Sequence, residues 1–400
     1  MNFSFTEEQD IFRKSVRDFC ESMIAPASGE IDDKGEIPRS IIEGMGSFGL
    51  FGLTISREYG GSSSGFFKAM IAAEEIARAD MSMAVAVFFL VEAGWGFLLD
   101  RYGTKRAKEE VLPDVLSGKT FLGIASTEAT GGSDIASVST SVEKKGDMLV
   151  MNGAKAYISG VREASQYGGG YVTVVKTDPD AGHKGLSLCY LPVMEKAGIT
   201  VSTSRQMGRE GISNGFIVMR DVELPEHYLI GEWNRGFYYA LEGFNCARTL
   251  VSAACIGAAE RALELGIERI RNRKVFNSPL ARFEGIQFQL ADAYTRLEAA
   301  RLLVRKAAWL LDEMYAGKGV NHEGSNKAAA AAKLTAPTVA FDIIKDVMIW
   351  HGAYGYTKEA GLERALRAVT SYIVGAEGAQ NIMRLIISKE ILEREKGRGE

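Results

Sequence analysis

A chain of 400 residues exceeds one typical hydrophobic core, so two or three domains are expected. Hydrophobic residues make up 46% of it and charged residues 24%, as in ordinary globular proteins. The formal net charge of −4 argues against a dedicated nucleic-acid surface, because such surfaces carry a strong basic bias. The four cysteines include no C-x-x-C pair and the four histidines are scattered, which argues against disulfides and a metal site.

The N-terminus has no basic segment followed by an apolar run, so no signal peptide is expected. The longest apolar stretch, residues 83–90, is far too short to span a membrane. Reduced thiols are the expected state of the widely spaced cysteines. Together these features predict a cytoplasmic protein with no membrane segment.

Residues 1–119 form the first predicted domain, and their pattern is helical. Thr6 and Gln9 have the spacing of a capping box, and the apolar residues after them recur every three or four positions. Residues 44–49 match G-x-G-x-x-G, but a helical segment starting near Pro38 precedes them, where a dinucleotide site requires a strand. We therefore predict a helix end followed by a turn at that point.

The second predicted domain, residues 120–232, changes to a period of two. Its short alternating segments are typical of strands, with Gly, Asp and Pro turns between them; they are residues 138–143, 171–175, 186–191 and 216–219. No helical pattern separates these segments. The sheet is therefore expected to be antiparallel and barrel-like.

The third predicted domain, residues 233–400, returns to helices. Residues 250–270 are dense in Ala, Gly and Cys, which suits a helix packed closely on several sides. A long apolar stripe follows and ends near Gly317, residues 317–326 are predicted to be a loop, and Pro337 is expected to kink the next helix. The predicted fold class is thus α+β: an N-terminal helical domain, a middle antiparallel β-barrel-like domain and a C-terminal helical bundle.

The most informative segment of the chain is residues 124–134. It supplies hydroxyl groups at Thr127 and Ser133 around the glycine pair Gly131 and Gly132. Because glycine has no Cβ, backbone amides there can approach a ligand oxygen closely. A plain Gly/Ser turn is the alternative interpretation.

A second segment, residues 152–159, carries Tyr157 two positions before Ser159. The alternation of a strand places these two side chains on one face. A flat ring with hydroxyls on one face suits a planar heteroaromatic cofactor, and an ordinary strand is the alternative.

These two segments resemble the flavin-binding signature of the acyl-CoA dehydrogenase family, which reads T-E-P-G-A-G-S-D and then N-G-x-K-x-W-I-T. Here Ala129 and Thr130 replace Pro-Gly, Gly131 replaces Ala, Tyr157 replaces Trp and Ser159 replaces Thr. Other family landmarks follow in order along almost the whole chain, among them residues 5–9, 58–61, 74–80, 207–208, 221–225, 273–276 and 352–356.

The resemblance implies non-covalent FAD as the cofactor. Its expected contacts are Ile124, Ser126, Thr127, Gly132, Ser133, Tyr157, Ser159, Arg273, Phe276 and Leu280. In the family, the R-x-x-F element matched by Arg273 and Phe276 reaches the flavin pyrophosphate of a neighbouring subunit, and an Arg fork suits that anion. A homo-oligomer is therefore implied, a tetramer built as a dimer of dimers.

The family oxidises an acyl thioester between Cα and Cβ, and needs a base in a dry slot where desolvation raises the pKa of a carboxylate. Glu377 is a lone acid among small and apolar residues in 374–380 and matches the family's E-G-T element, although Ala379 replaces the Thr. A helix-terminal surface glutamate is the alternative. Arg367 lies one residue further from Glu377 than in the family, which predicts a local bulge. The family's other base position is Ala247 here, which has no basic group.

The substrate-binding residues expected from the resemblance are Ser133, Glu92, Arg248, Ala376 and Gly378. Arg248 matches a conserved Arg and is expected to help hold the acyl-CoA. Residues 85–95 are expected to line the pocket floor, where Glu92 is either a structural hydrogen-bonding group, which we favour, or a second proton acceptor. Small side chains at Gly375 and Ala376 leave room beside the base, which favours a branched, cyclic or aromatic-substituted acyl group.

The resulting hypothesis is a flavoprotein oxidoreductase of the acyl-CoA dehydrogenase type that passes electrons to an electron-transfer flavoprotein. One alternative is a flavin monooxygenase or oxidase on the same fold, but such relatives generally lack the base that Glu377 supplies. Another is a nucleic-acid-binding relative without dehydrogenase activity. The acidic net charge and the lack of a basic C-terminal stripe argue against that alternative.

Overall fold

Helices form the first part of the molecule. The structure, a computed structural model, describes residues 4–194 and 196–396, so the predicted domain ends at residues 1–3 and 397–400 lie outside it. The helices of this part are α1 (Glu7–Met23), α2 (Ser28–Lys34), α3 (Arg39–Phe48), α4 (Gly65–Ala79), α5 (Ala84–Tyr102) and α6 (Lys105–Leu116).

Local signals predicted from the sequence set two of these helix ends. The side chain of Thr6 accepts a hydrogen bond from the backbone of Gln9, and the side chain of Gln9 accepts one from the backbone of Thr6, which confirms the capping box. Helix α3 ends at Gly49, whose φ of 84° lies in the left-handed region. The G-x-G-x-x-G match is therefore a helix end followed by a turn, as predicted.

A sheet of eight strands occupies the middle of the chain. Its elements are β1 (Phe121–Ala125), β2 (Ser141–Lys145), β3 (Met148–Ser159), α7 (Val161–Tyr167), β4 (Gly169–Lys176), β5 (Leu186–Pro192), β6 (Ile199–Ser204), β7 (Asn214–Pro225) and β8 (Leu229–Ile230). The strands follow the order β6-β7-β3-β2-β4-β5-β8, and β1 joins this path beside β4. All four segments predicted as strands lie in or overlap β2, β4, β5 and β7.

The sheet departs from the expected antiparallel pairing at strand β4, which has two parallel neighbours: β1, and β2 where Ser141 lies opposite Lys176. β1 pairs with β4 in parallel, from Phe121 opposite Gly169 to Ala125 opposite Thr173. Parallel neighbours need a crossover connection, and here the β2–β3 hairpin and helix α7 supply it. Helix α7 is the short helix that the sequence pattern did not reveal.

Long helices form the rest of the described chain: α8 (Gly236–Asn272), α9 (Glu284–Tyr315), α10 (His322–His351), α11 (Leu362–Val374) and α12 (Gln380–Lys396), with the small hairpin β9 (Lys274–Val275) and β10 (Ser278–Pro279) after α8. Helix α10 begins earlier than the predicted loop allowed. The side chain of Asn321 caps it by accepting from the backbone of Gly324. Pro337 lies inside this helix, and the predicted kink stays a prediction.

Helix α8 lies at the centre of the helical packing, against α4, α5, α9 and α10. Its small residues permit this close packing, as the composition of residues 250–270 predicted. At Gly257 an added Cβ would lie 1.9 Å from the carbonyl oxygen of Glu74 in α4. Only glycine lets these two helix backbones approach so closely.

Candidate active site

A cavity of about 1030 Å³ lies where the carboxyl end of β1, the end of β3, the first turns of α8 and the segment after α11 meet. It brings together side chains that are far apart in the sequence, including Thr127, Tyr157, Arg248 and Glu377. This volume lies at the upper end of the range usual for small-molecule pockets.

The two polar segments singled out in the sequence meet in this cavity. The backbone N–H of Ala156 donates to the carbonyl of Thr127 at 2.9 Å, so the loop after β1 lies against β3. The tight turn between Glu128 and Gly131 is closed by hydrogen bonds in both directions. The predicted cofactor residues of these segments all line the cavity: Ile124, Ser126, Thr127, Gly132, Ser133, Tyr157 and Ser159.

Tyr157 presents its ring to the cavity because the strand is irregular at this point. The pairing of β3 with β7 shifts register between Lys155 and Ile158, and Tyr157 has a φ of 59°. Such a bulge re-aims a side chain relative to a regular strand. The ring is 63% exposed and its centroid lies 5.7 Å from that of Phe216.

A buried ion pair supports the loop after β1, and the sequence analysis did not assign it. Nζ of Lys155 lies 3.1 Å from Oε1 of Glu128 and donates to the carbonyl of Ser126 at 3.2 Å. The carboxylate of Glu128 also accepts from the backbones and hydroxyls of Ser139 and Thr140, at 2.6 to 2.8 Å. Glu128 lies in the first of the two polar segments and Lys155 in the second. Their positions beside Thr127 and Tyr157 were the sequence signal from which this pair could have been predicted.

The pKa values of this pair reflect its burial and its partners. Burial opposes ionisation of Glu128, but the hydrogen bonds from Ser139 and Thr140 and the charge of Lys155 outweigh it and lower the pKa of Glu128 to about 2. Burial lowers the pKa of Lys155 to about 8, against the opposing effect of Glu128. The pair is therefore ionised at neutral pH and holds the loop that carries Thr127.

Glu377 lies on the segment between α11 and α12, and two basic side chains hold the backbone around it. Nε of Arg248 donates to the carbonyl of Glu377 at 3.0 Å, and its Nη1 donates to Oδ1 of Asn245 at 3.0 Å. Nζ of Lys333 donates to carbonyls on both sides of Glu377, including that of Gly375 at 3.0 Å. The backbone of the segment is thus fixed from α8 and from α10.

The surroundings of Glu377 act on the pKa of its carboxyl in opposite directions. Burial raises the pKa of its carboxyl, while the positive charges of Arg248, Lys333 and Arg209 oppose that rise. Burial also lowers the pKa of the Arg248 guanidinium to about 10. Helix α11 runs regularly from Leu362 to Val374, so the bulge predicted between Arg367 and Glu377 is absent before Val374 and the irregular backbone begins at Gly375.

The remaining predicted substrate contacts divide into two groups. Ser133, Arg248, Ala376 and Gly378 line the cavity together with Glu377. Glu92 does not: it is fully buried in α5, and its Oε1 accepts from the backbone N–H of Leu122 at 2.9 Å. Burial raises its pKa well above the ordinary value. The side chain of Glu92 thus makes a structural hydrogen bond to β1, which is the role favoured for it from the sequence. Its expected place among the substrate contacts is corrected, because its neighbour Val91 lines the cavity instead.

The predicted contacts of the R-x-x-F element lie outside the cavity of a single chain. Arg273 follows α8, Phe276 is 94% exposed with a φ of 47°, and Leu280 lies just beyond the β9–β10 hairpin. Their predicted role requires a neighbouring subunit, and it stays a prediction.

Two absences concern the described part of the chain alone. No cluster of three or more His, Cys, Asp or Glu residues in it has a geometry that could hold a metal ion. None of its helices combines the length and hydropathy needed to cross a membrane. Its four cysteines, Cys20, Cys189, Cys246 and Cys255, are buried free thiols.

Comparison with known proteins decides the family. The models of the acyl-CoA dehydrogenase N-terminal, middle and C-terminal domains match residues 6–119, 123–222 and 234–392. The chain belongs to the acyl-CoA dehydrogenase family. The enzyme is 32% identical to the 3-(aryl)acrylate reductase of Clostridium sporogenes, over 97% of this chain and 100% of that protein. It is also 32% identical to the caffeyl-CoA reductase-Etf complex subunit CarC of Acetobacterium woodii, over 98% and 100%.

The fold agrees with that assignment. The structure of butyryl-CoA dehydrogenase from Megasphaera elsdenii superposes with a TM-score of 0.90 at 29% identity, covering 98% of this chain and 100% of the other. The predicted fold class of helical, β and helical parts is therefore confirmed.

FAD is the cofactor of the enzyme, and the residues present fit it. The hydroxyls of Thr127, Ser133 and Ser159 and the open ring of Tyr157 surround one part of the cavity. A Cβ at position 132 would lie 3.0 Å from Oγ1 of Thr127, so Gly132 lets the side chain of Thr127 pack closely against the backbone of this loop. These are the groups that a planar, hydrogen-bonding ring system requires.

Proposed function

We propose that the enzyme oxidises an acyl-CoA thioester between Cα and Cβ, with Glu377 as the base that removes the α-proton. The observation that carries this proposal is the position of Glu377 in the cavity. Of the two carboxylates among the described cavity residues, Asp134 is exposed, whereas Glu377 is partly buried and burial raises its pKa. A raised pKa brings a carboxyl closer to the operating pH, as general base catalysis requires.

Glu377 and Arg248 have different roles in the proposed reaction. The bound flavin supplies the acceptor for the hydride that leaves Cβ. Glu377 takes the α-proton, and its own backbone N–H is proposed to donate to the thioester oxygen and stabilise charge there. Arg248 holds the backbone carbonyl of Glu377, so it orients the base; a contact with the acyl-CoA remains part of the proposal.

We further propose a branched, cyclic or aromatic-substituted acyl group. The small residues Gly375 and Ala376 precede the base, and apolar side chains from α8, among them Phe237 and Phe244, line the same cavity. Two relatives, by their names, act on aryl-substituted acrylate and caffeyl groups. Titration of the oxidised enzyme with butyryl-CoA, isobutyryl-CoA, cyclohexanecarbonyl-CoA and 3-phenylpropionyl-CoA ranks these classes by flavin bleaching.

The same site also supports the reverse reaction, reduction of a 2-enoyl thioester, as a second candidate. The observation in its favour is that both curated relatives described above are reductases. In that direction the protonated carboxyl of Glu377 delivers a proton to Cα, which its raised pKa equally favours. Reoxidation of the reduced enzyme by cinnamoyl-CoA, compared with reduction of the oxidised enzyme by 3-phenylpropionyl-CoA, separates the two directions.

The proposal also covers the redox partner, the oligomeric state and the cellular compartment of the enzyme. We propose an electron-transfer flavoprotein as the redox partner, since one relative is a subunit of a complex with such a protein. A homotetramer in the cytoplasm is proposed from the exposed R-x-x-F element and from the four free thiols.

The decisive experiment compares Glu377→Gln with Glu92→Gln. Glu377→Gln keeps the shape and removes the basicity, so flavin reduction in anaerobic stopped-flow is expected to fall ~10²–10⁴-fold, the usual effect of losing a general base. Substrate binding is expected to persist. Glu92→Gln, a change in a carboxyl buried under β1, is expected to leave the reduction rate within a few-fold. The proposal fails if Glu377→Gln still reduces its flavin at the parent rate, or if Glu92→Gln alone abolishes reduction.

A further inference from the structure

The least expected side chain near the base is Lys333. It lies on α10, is fully buried, and its Nζ donates to the carbonyls of Tyr372 at 2.8 Å, of Gly375 at 3.0 Å and of Gly378. Within the described residues no acidic side chain forms an ion pair with it. A buried ammonium is costly unless its hydrogen-bonding capacity is used, and here the three carbonyls match its three donors.

The carbonyls are arranged around the base. Tyr372 and Gly375 precede Glu377 and Gly378 follows it, while Arg248 binds the carbonyl of Glu377 itself at 3.0 Å. A single side chain from α10 therefore ties the last turn of α11 to the residue after the base. This segment lies outside regular helix or strand, so its conformation depends on such contacts.

We propose that Lys333 is a positioning residue for the reaction: it holds the backbone on both sides of Glu377 and its charge favours the carboxylate form of that base. The inference rests on the proposed function of Glu377. Lys333 acts through the backbone and through its charge, and it is assigned no contact with substrate or cofactor.

The charges around the base determine the direction of the expected pH effect. Glu377 faces Arg248 from α8, Arg209 from the loop between β6 and β7, Lys333 from α10 and Tyr372 from α11. Lys333 also faces Cys255 of α8, and burial lowers its pKa to about 8. The ammonium is thus charged at neutral pH. Removing it deletes one of three positive charges that oppose the raised pKa of Glu377, so that pKa rises further.

The test uses the FAD-loaded enzyme and three variants. Lys333→Met removes both charge and donors, Lys333→Arg keeps the charge but not the three-carbonyl geometry, and Lys345→Met is the control because Lys345 is exposed on the same helix. The readouts are the pH profile of flavin reduction in anaerobic stopped-flow and amide hydrogen exchange of peptides covering residues 372–378. The substrate is the acyl-CoA that best bleaches the parent enzyme.

Lys333→Met is expected to slow reduction at pH 7 by ~10- to 100-fold, the scale of a small misplacement of a catalytic group. The acid limb of its pH profile for flavin reduction is expected to move to higher pH. Amide hydrogen exchange over residues 372–378 is expected to be faster than in the parent. Lys333→Arg is expected to be slow but to keep the acid limb of the parent, and Lys345→Met to match the parent throughout. An unshifted acid limb in Lys333→Met would overturn the inference.

Three further outcomes are also decisive. If Lys333→Met does not retain FAD, Lys333→Arg decides alone: parent-like rate and exchange would show that the three-carbonyl geometry is not needed, and would overturn the inference. If Glu377→Gln keeps the parent rate, the proposed function fails and the inference with it. A slow Glu377→Gln together with an unperturbed Lys333→Met rejects the inference and leaves the proposed function standing.

Discussion

Replacing Glu128 by Gln removes the carboxylate of the buried pair beneath the cofactor loop. The variant leaves Lys155 fully buried with the carbonyl of Ser126 as its remaining partner. It also weakens the acceptor of four hydrogen bonds from Ser139 and Thr140. A buried charge that loses its partner destabilises a protein more than the pair stabilised it.

Two estimates of the magnitude agree. The pKa of Glu128 is about 2, against an ordinary value of 4.5, and at ~1.4 kcal/mol per unit of pKa the folded state favours the carboxylate by ~3 kcal/mol. Breaking one partner of a buried ion pair typically costs ~3–5 kcal/mol. We expect Glu128→Gln to lower the free energy of unfolding at pH 7 by ~3 kcal/mol.

The assay is urea unfolding of the holoenzyme at fixed protein and excess FAD concentration, since ligand binding contributes to apparent stability. The matched control is Glu143→Gln, the same chemical change at an exposed position on β2, with an expected effect within ~0.5 kcal/mol. The double variant Glu128→Gln/Lys155→Met is expected to recover part of the loss, because no unpaired charge remains buried.

The pH dependence follows from the sign of the shift. Because the folded-state pKa of Glu128 lies below the ordinary value, its stabilisation is fully present above pH ~4.5 and is lost as pH falls toward about 2. The stability difference between the parent and Glu128→Gln is therefore expected to shrink over that window. Equal effects of Glu128→Gln and Glu143→Gln at pH 7 would refute the reasoning.

Two other substitutions test the oligomer and the helix packing. Arg273→Ala is expected to weaken FAD retention, measured by flavin release on dilution, because a charge-assisted contact with a pyrophosphate across a subunit interface is lost; a monomeric parent that retains FAD in sedimentation experiments contradicts this. Gly257→Ala has two opposing effects on stability. Alanine raises helix propensity by ~1 kcal/mol, but its Cβ would lie 1.9 Å from a backbone oxygen, which is a steric clash. The clash is expected to outweigh the gain, so Gly257→Ala should lower the melting temperature. The control is Gly285→Ala in α9, where the added Cβ meets open space, and it is expected to be neutral or stabilising. A Gly257→Ala variant as stable as the parent would show that the two helices separate without cost.

Several features of the helices could be predicted from short-range sequence patterns. The capping box at Thr6, the helix end at Gly49 and the small residues around Gly257 are short-range signals, and each led to the correct element. Despite the substitutions at Ala129 and Tyr157, the two segments that resemble the flavin signature meet in one cavity. Their individual contacts with FAD stay predictions.

Other features depended on distant parts of the chain. The parallel pairing of β1 with β4 and the short helix α7 between them were missed, because strand direction depends on how the connection crosses the sheet. Glu92 was expected at the pocket floor because residues 85–95 were predicted to line it, with a structural hydrogen bond as its favoured role. The packing of α5 on β1 decides which of its side chains line the cavity. Val91 lines the cavity, and Glu92 points to β1.

The amino-acid sequence by itself predicted the family, because the matching motifs are residue types at short spacing, and the resemblance implied FAD as the cofactor. It also singled out Glu377 as the candidate base, and that role stays a prediction. Only the tertiary structure decided what surrounds that base. Lys333 stands 44 residues before Glu377 on another helix, and Lys155 and Glu128 pair across a strand and a loop. The burial that sets their pKa values, and the carbonyls that hold Lys333, exist only once the chain has folded.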